Sequence, residues 1–318
     1  RGSVRGRAVR GAMMEVLVFG AGSLGSLLGG LLARAHDVTL VGREPHVSAV
    51  QADGLRITGA ETLETRPAAT TDATGASADL ALVTVKAYDT EAAGRALATG
   101  DYGAVCSLQN GMGNEDVLAD AVRAPVLAGT VTYGAGLVDP GHVEWRGRGT
   151  ITLGAWRPAD DVAAAERVAA ALRAADLDVT TTVDVRRRLW EKLAVNAAIN
   201  PVTALARVGN GALTEEPLAG LARTAAVETA GVARATGVTI SDETAADAAA
   251  TVVRETARNR SSMLQDVTRG RRTEIDAING YVVDRAAATD RAAPVNRTLA
   301  ALIGGWERGA GVGPSGDE

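Results

Sequence analysis

Lys192, Asn196 and Asn200 recur at intervals of four within LWEKLAVNAAINPVTALARVGNG, residues 189–211. On an α-helix that interval puts an ammonium and two carboxamides in one row, a turn apart. Leu189, Leu193, Ala194, Val195, Ala197, Ala198 and Ile199 surround the row. Either the row faces a cavity, or the helix lies on a surface with Lys192 in water. A buried polar group without a partner costs about 1–3 kcal/mol. An amine beside amide donors suits an oxygen that gains negative charge during reaction, such as a ketone oxygen when hydride reaches its carbon. Pro201 follows Asn200 and is expected to kink or end the helix.

Lysine usage sharpens the first reading. Of the 33 basic residues only Lys86 and Lys192 are lysine; the rest are arginine. Arginine does not release a proton near neutral pH, whereas a lysine does once burial or charge lowers its pKa. Two lysines retained in an arginine-dominated chain point to positions where a guanidinium does not serve.

A second set lies in SSMLQDVTRGRRTEIDAINGYVVDRA. Ser261–Thr268 reads as a helix ending near Gly270. Thr273 reads as the cap of a further helix, with Glu274 in its first turn, where the macrodipole favours a charged carboxylate. From composition alone Glu274 and the serine pair are better explained by helix stability than by chemistry.

The elements that position these groups follow from the hydrophobic pattern. Residues 1–12, RGSVRGRAVRGA, lack the apolar segment of a signal peptide and read as a disordered leader or tag. Glu15–Phe19 is a buried strand and Gly20-Ala21-Gly22-Ser23-Leu24-Gly25 follows at once, opening an apolar helix. This is G-x-G-x-x-G in its strand–turn–helix setting, the fingerprint of a dinucleotide site. Gly20 allows the tight turn, Gly22 lets the backbone approach a pyrophosphate, and Gly25 allows close helix–strand packing. The second strand, Asp37–Gly42, ends at Arg43 rather than at the acid expected for an NAD ribose. Arg43 suits a 2′-phosphate and favours NADP(H), although Glu44 is adjacent.

Leu80–Val85 is a further buried strand that stops at Lys86, and Ala104–Leu108 another that stops before Asn110. Ligands of open α/β sheets bind beyond the carboxyl ends of the strands. More strands are read in VLAGTVTYGA, HVEW and TITLGA, a helix over Asp160–Ala174, and a last strand over Asp178–Val183. After Val185 the pattern is helical, with breaks expected at Pro201, Gly209–Gly211, Pro217, Gly237, Gly270 and Pro294. The expected organisation is a leader (1–12), an NADP-binding Rossmann domain (13–184), an all-α domain (185–309) and a flexible tail (310–318).

Composition narrows the class. The chain has 318 residues, 46% hydrophobic and 22% charged, as in globular proteins, and 3% aromatic. A net charge of −5 argues against a nucleic-acid-binding surface. A single cysteine, Cys106, and three dispersed histidines offer no metal-ligand spacing. No apolar run is long enough to span a bilayer.

The motifs together resemble the 2-dehydropantoate 2-reductase (ketopantoate reductase) family. GAGSLG, VKAYD, QNGMGNED, WEKLAVNAAINPVTAL, NGAL and SSMLQDVTRGRRTEIDAINGY occur in family order across roughly residues 14–300. The resemblance implies a Rossmann domain followed by an all-α domain of the 6-phosphogluconate dehydrogenase C-terminal-like kind. It implies NADPH-dependent reduction of ketopantoate to (R)-pantoate, on the way to pantothenate and coenzyme A. By match, Lys192 is the catalytic lysine, and Glu274 is an acid near the cofactor and the substrate hydroxyl. Asn110, Asn196, Asn200, Asn210 and Ser262 match substrate contacts. Lys86 and Asn110 match groups near the nicotinamide, and Ala135 a backbone contact to the cofactor. Tyr133 departs from the histidine of many members, a change expected to reshape the substrate end. A cytoplasmic enzyme, monomer or homodimer, taking a small 2-oxo acid and no metal is the resulting expectation. A reductase of another 2-oxo acid or of an imine, and a non-catalytic NADP sensor, remain as alternatives.

Overall fold

The computed structural model describes residues 13–157 and 162–313. The expected leader (1–12) and most of the expected tail (314–318) lie outside the described residues. The chain divides into two compact units. One holds the described residues up to Gln109 and those from Glu115 to Val185; the other holds Asn110–Asn114 and those from Arg186 on.

The first unit is an α/β layer structure. In chain order it contains β1 (Glu15–Phe19), α1 (Ser23–Leu32), β2 (Asp37–Val41), α2 (His46–Asp53), β3 (Leu55–Gly59), β4 (Leu63–Thr65), β5 (Ala68–Thr70) and β6 (Leu80–Val83). Then come α3 (Thr90–Leu97), β7 (Val105–Ser107), α4 (Asn114–Ala121), β8 (Val126–Val131), β9 (Gly134–Asp139), β10 (His142–Gly147), β11 (Ile151–Ala155), α5 (Val162–Ala174) and β12 (Val179–Thr181).

The main sheet runs β12-β11-β8-β7-β6-β1-β2-β5. Its central pairs are parallel, with Val16 opposite both Val38 and Leu80, and only β11 runs antiparallel to β8. Strands covered on both faces need continuous apolar runs, which is what LALV at β6 supplies. A second sheet, β4-β3-β10-β9, lies against α1. The sequence reading passed over α2 and β3–β5, because the strands there are short and part-exposed and carry little periodic signal. The expected helix over Asp160–Ala174 is described from Val162; its first two residues lie outside the described residues.

His46 ties three pieces of this unit together. The Gly141 N–H donates to its Nδ1 at 3.0 Å, so the ring proton sits on Nε2, 2.9 Å from Ser26 Oγ on α1. Tyr133 is buried, its hydroxyl accepting from the Asp178 N–H at 2.9 Å and its ring stacked on Trp145. The departure at this position therefore serves the core of the first unit.

The second unit is helical: α6 (Val185–Ala206), a 3₁₀ turn (Asn210–Thr214), α7 (Leu218–Ala235), α8 (Asp242–Glu255), α9 (Ser262–Thr268), a π turn (Asp276–Gly280), α10 (Tyr281–Ala288) and α11 (Pro294–Gly309). Ser241 and Ser261 cap α8 and α9 by accepting from the Thr244 and Leu264 N–H groups, and Pro294 opens α11 where its missing N–H costs nothing. Trp190 of α6 packs on Tyr281 of α10 with ring centroids 5.8 Å apart.

One expectation is corrected here, the helix break at Pro201. Pro201 does not end its helix, because α6 continues to Ala206. A proline at position i removes the donor to the carbonyl at i−4, here Ala197. That carbonyl instead accepts from Asn279 Nδ2 at 3.1 Å. Thr273 stands, as expected, just ahead of the next helical run, which opens as the π turn and continues into α10. Its hydroxyl accepts from the Ile275 N–H at 3.2 Å, one of the bonds an N-cap side chain makes, and the Glu274 carbonyl accepts from the Ile278 N–H at 3.1 Å.

Candidate active site

In the first unit the glycine turn has the geometry that its residue types require. Gly20 adopts φ +116° and a Cβ there would lie 2.6 Å from the Val85 nitrogen. At Gly25 a Cβ would lie 2.2 Å from the Gly20 carbonyl oxygen, so α1 can start this close to β1 only without a side chain. At Gly22 a Cβ would meet nothing within 4 Å. The protein thus leaves backbone accessible at the start of α1, where Gly22 stands at the N-cap without a side-chain hydrogen bond. Ala21 is buried, its N–H donating to the Val41 carbonyl at 2.8 Å. Ser23 Oγ accepts from the Leu137 N–H at 2.9 Å, which leaves its own proton to donate and fixes β9 beside the turn. Ala135 lies on that strand, two residues before Leu137. Leu24, in the first turn of α1, packs on the apolar core. The Gly20, Ala21 and Gly22 N–H groups are taken by the Val41 and Gly20 carbonyls, so it is the N–H groups that follow, at a helix start with no acidic side chain in its first turn, that fit a dinucleotide pyrophosphate.

Arg43, after β2, is paired to Asp89 at 2.7 Å, with its side chain 83% exposed. Asp89 was not singled out from sequence, since an acid in a short turn carries no signal of its own. Lys86 is half-buried just beyond β6, where the 3₁₀ turn Ala87–Asp89 begins.

The second unit gathers the remaining groups. Lys192, Asn196 and Asn200 share α6; the first two are half-buried and Asn200 is 6% exposed. Asn110 follows β7 in sequence but belongs to the helical unit. Gly111, at φ +78°, brings the backbone against Ala277, and the Met112 N–H donates to the Ala277 carbonyl at 3.0 Å. Asn110 Nδ2 then reaches Glu274 Oε2 at 3.5 Å, with Glu274 buried. Two residues 164 positions apart in sequence thus meet through one five-residue excursion of the chain.

Asn210 is placed differently: its Nδ2 donates to Thr256 Oγ1 at 2.8 Å and its buried Oδ1 has no hydrogen-bond partner among the described residues. Ser262 is exposed, whereas Ser261 is buried, 2.7 Å from Thr203 Oγ1 on α6. Thr203 in turn donates to the Ile199 and Asn200 carbonyls, so the cap of α9 is locked to the end of the amide row. A helical serine pair does not reveal in sequence which member faces inward.

Two family models cover the chain: ketopantoate reductase PanE/ApbA over residues 16–158, and its C-terminal counterpart over 184–307. The chain belongs to the ketopantoate reductase family. It is 46% identical to a 2-dehydropantoate 2-reductase of Halobacterium salinarum, over 91% of this chain and 98% of that protein. A 2-dehydropantoate 2-reductase of Archaeoglobus fulgidus is 43% identical, over 93% and 99%. Among solved structures, a PanE/ApbA family ketopantoate reductase from Ralstonia eutropha superposes with a TM-score of 0.86 at 34% identity, covering 94% of this chain and all of that one. D-Mandelate dehydrogenase with NADH and anilino(oxo)acetate gives 0.88 at 25% identity with the same coverage. Membership makes the chain a nicotinamide-dependent oxidoreductase, in keeping with the glycine turn. No described helix is long and apolar enough to cross a membrane.

Proposed function

We propose that this protein reduces 2-dehydropantoate to (R)-pantoate with NADPH, in the cytoplasm, on the route to pantothenate and coenzyme A. The observation that carries the reading is the α6 row, an amine and two amides withdrawn from full exposure, in the same unit as a buried Glu274 held by Asn110. A cofactor-binding protein that only senses nucleotide needs no such set.

The first unit supplies the cofactor site: backbone from Gly20 to Gly25 for the pyrophosphate, Arg43 for the 2′-phosphate, with Lys86 and Ala135 nearby in sequence to the strand ends. Bound NADPH supplies the hydride. As negative charge grows on the carbonyl oxygen, the Lys192 ammonium stabilises it and transfers its proton to it, leaving a neutral amine that bulk water reprotonates. Asn196 and Asn200 orient the substrate from the same helix face. Ser262 donates to the substrate carboxylate and Asn210 supplies a further contact. Glu274 accepts from the substrate hydroxyl, and the Asn110 amide fixes which carboxylate oxygen does so.

The deciding measurement is NADPH consumption with and without ketopantoate. Lys192→Ala should lower kcat by about 100-fold or more with little change in NADPH affinity. Near-normal turnover would remove Lys192 from the acid role. The likeness to D-mandelate dehydrogenase favours, as a second reading, a different and bulkier 2-oxo acid. Comparing kcat/KM for ketopantoate with that for an aryl 2-oxo acid separates the two.

A further inference from the structure

The amide row of α6 is interrupted by a feature its own helix cannot repair. Pro201 sits one residue after Asn200, and its missing N–H leaves the Ala197 carbonyl without a helical donor. Ala197 lies between Asn196 and Asn200, so the defect falls within the row itself. The carbonyl is satisfied by Asn279 Nδ2 at 3.1 Å. Asn279 is fully buried and belongs to the π turn Asp276–Gly280, where the Gly280 N–H reaches back five residues to the Ile275 carbonyl at 2.9 Å.

The orientation of this amide is determined by its neighbours. Its second Nδ2 hydrogen goes to Asn296 Oδ1 at 2.9 Å. Asn296 Nδ2 donates to the Ala225 carbonyl at 3.1 Å and to Glu228 Oε2 at 2.9 Å, so its own Oδ1 must face Asn279. Glu228 also takes the Val295 and Asn296 N–H groups at the start of α11. Turning the Asn279 amide over would set its oxygen against two acceptors. The observed orientation is kept even though it leaves Asn279 Oδ1 buried without a hydrogen-bond partner among the described residues. A chain of amides and one carboxylate thus connects α7 and α11 to a single carbonyl of α6.

We infer that Asn279 is a positioning residue: it donates the hydrogen bond that Pro201 cannot, and thereby sets α6, with its Lys192–Asn196–Asn200 row, against the π turn that follows Glu274. The inference rests on the function proposed above. The π turn also receives the Met112 N–H, so the Asn110–Glu274 contact is referenced to the same five residues. An open carbonyl within a helix is a unique docking point, unlike an apolar contact that tolerates sliding. Proline followed at a distance by a buried asparagine makes that point.

The test is a two-residue cycle: Asn279→Ala, Pro201→Ala and the double variant in the full-length protein. Asn279→Ala is expected to lower kcat/KM for the 2-oxo acid by about 10–100-fold, the scale of a small misplacement of reacting groups. KM for NADPH should stay within about twofold, since that site is built by other residues. Restoring an N–H at position 201 lets the helix satisfy Ala197 itself, so the double variant should regain most of the loss. In the Pro201→Ala background, removing Asn279 should cost less than about threefold, a comparison that remains usable if Asn279→Ala alone does not fold. Loss of thermal stability with unchanged kcat/KM, or a tenfold loss that persists in the Pro201→Ala background, would overturn the inference. Hydrogen exchange over residues 198–206 reads the same cycle without turnover: faster in Asn279→Ala and restored in the double variant. If the wild-type protein reduces no 2-oxo acid, the proposed function fails on that result, and unchanged exchange in Asn279→Ala separately refutes the role of Asn279.

Discussion

Replacing Arg43 by alanine should change the choice between NADPH and NADH, and the structure sets the size of the change. Arg43 is held by Asp89 at 2.7 Å, but its side chain is 83% exposed, so the pair is largely screened. Such exposed pairs contribute about 0.2–1 kcal/mol. A charge-assisted bond to a 2′-phosphate contributes about 1.5–3 kcal/mol. Exchanging the carboxylate for the phosphate therefore leaves a net gain of about 0.5–2.8 kcal/mol, or roughly 2–100-fold in affinity. Arg43→Ala should raise the NADPH dissociation constant by that factor and leave NADH within about twofold. Asp89→Asn frees the guanidinium and should tighten NADPH by about 1.4–5-fold, the same pair energy read from the other side. Titration calorimetry with both nucleotides on the wild type and both variants gives all six constants. An equal loss for NADPH and NADH in Arg43→Ala would show that no phosphate contact exists. Weaker NADPH binding in Asp89→Asn would show that the pair organises the site rather than competing with it.

Two glycines of the turn should separate folding from binding. Gly25→Ala forces a Cβ to within 2.2 Å of a backbone oxygen and should lower the thermal midpoint by about 3–10 °C, the effect of an overpacked core position. Gly22→Ala meets no protein atom within 4 Å, so it should melt like the wild type yet bind dinucleotide more weakly; a normal affinity would deny that the pyrophosphate approaches there. The His46 imidazole is lowered from its ordinary 6.5 by burial, which favours the neutral ring. The unfolded chain then binds the proton more readily, so this contribution is complete above pH 6.5 and is lost as pH falls through the lower folded value. The thermal midpoint should decline from pH 7.5 to pH 5.5, and His46→Gln should flatten that slope; an unchanged slope would assign the effect to other groups.

Much of the protein was legible in the linear chain because its signals are local. A strand followed at once by G-x-G-x-x-G and apolar runs of strand length each act within a few residues, where backbone sterics operate. The four-residue spacing from Lys192 to Asn200 likewise needs nothing beyond helix geometry. What sequence could not decide were the outcomes that depend on a distant partner. Pro201 reads as a kink or a terminator, and only the fold brings Asn279 to the carbonyl that its missing N–H leaves open. Arg43 reads as an unencumbered phosphate ligand, and only folding brings Asp89 to it. Glu274 reads as a helix-stabilising acid, and only the docking of residues 110–114 on the π turn gives it Asn110 as a neighbour. Local geometry is written in residue type and spacing, because torsional preference and capping act along the chain. Which orphaned donor or acceptor finds which partner is settled by packing, because a buried polar group takes whatever the fold brings within about 3 Å.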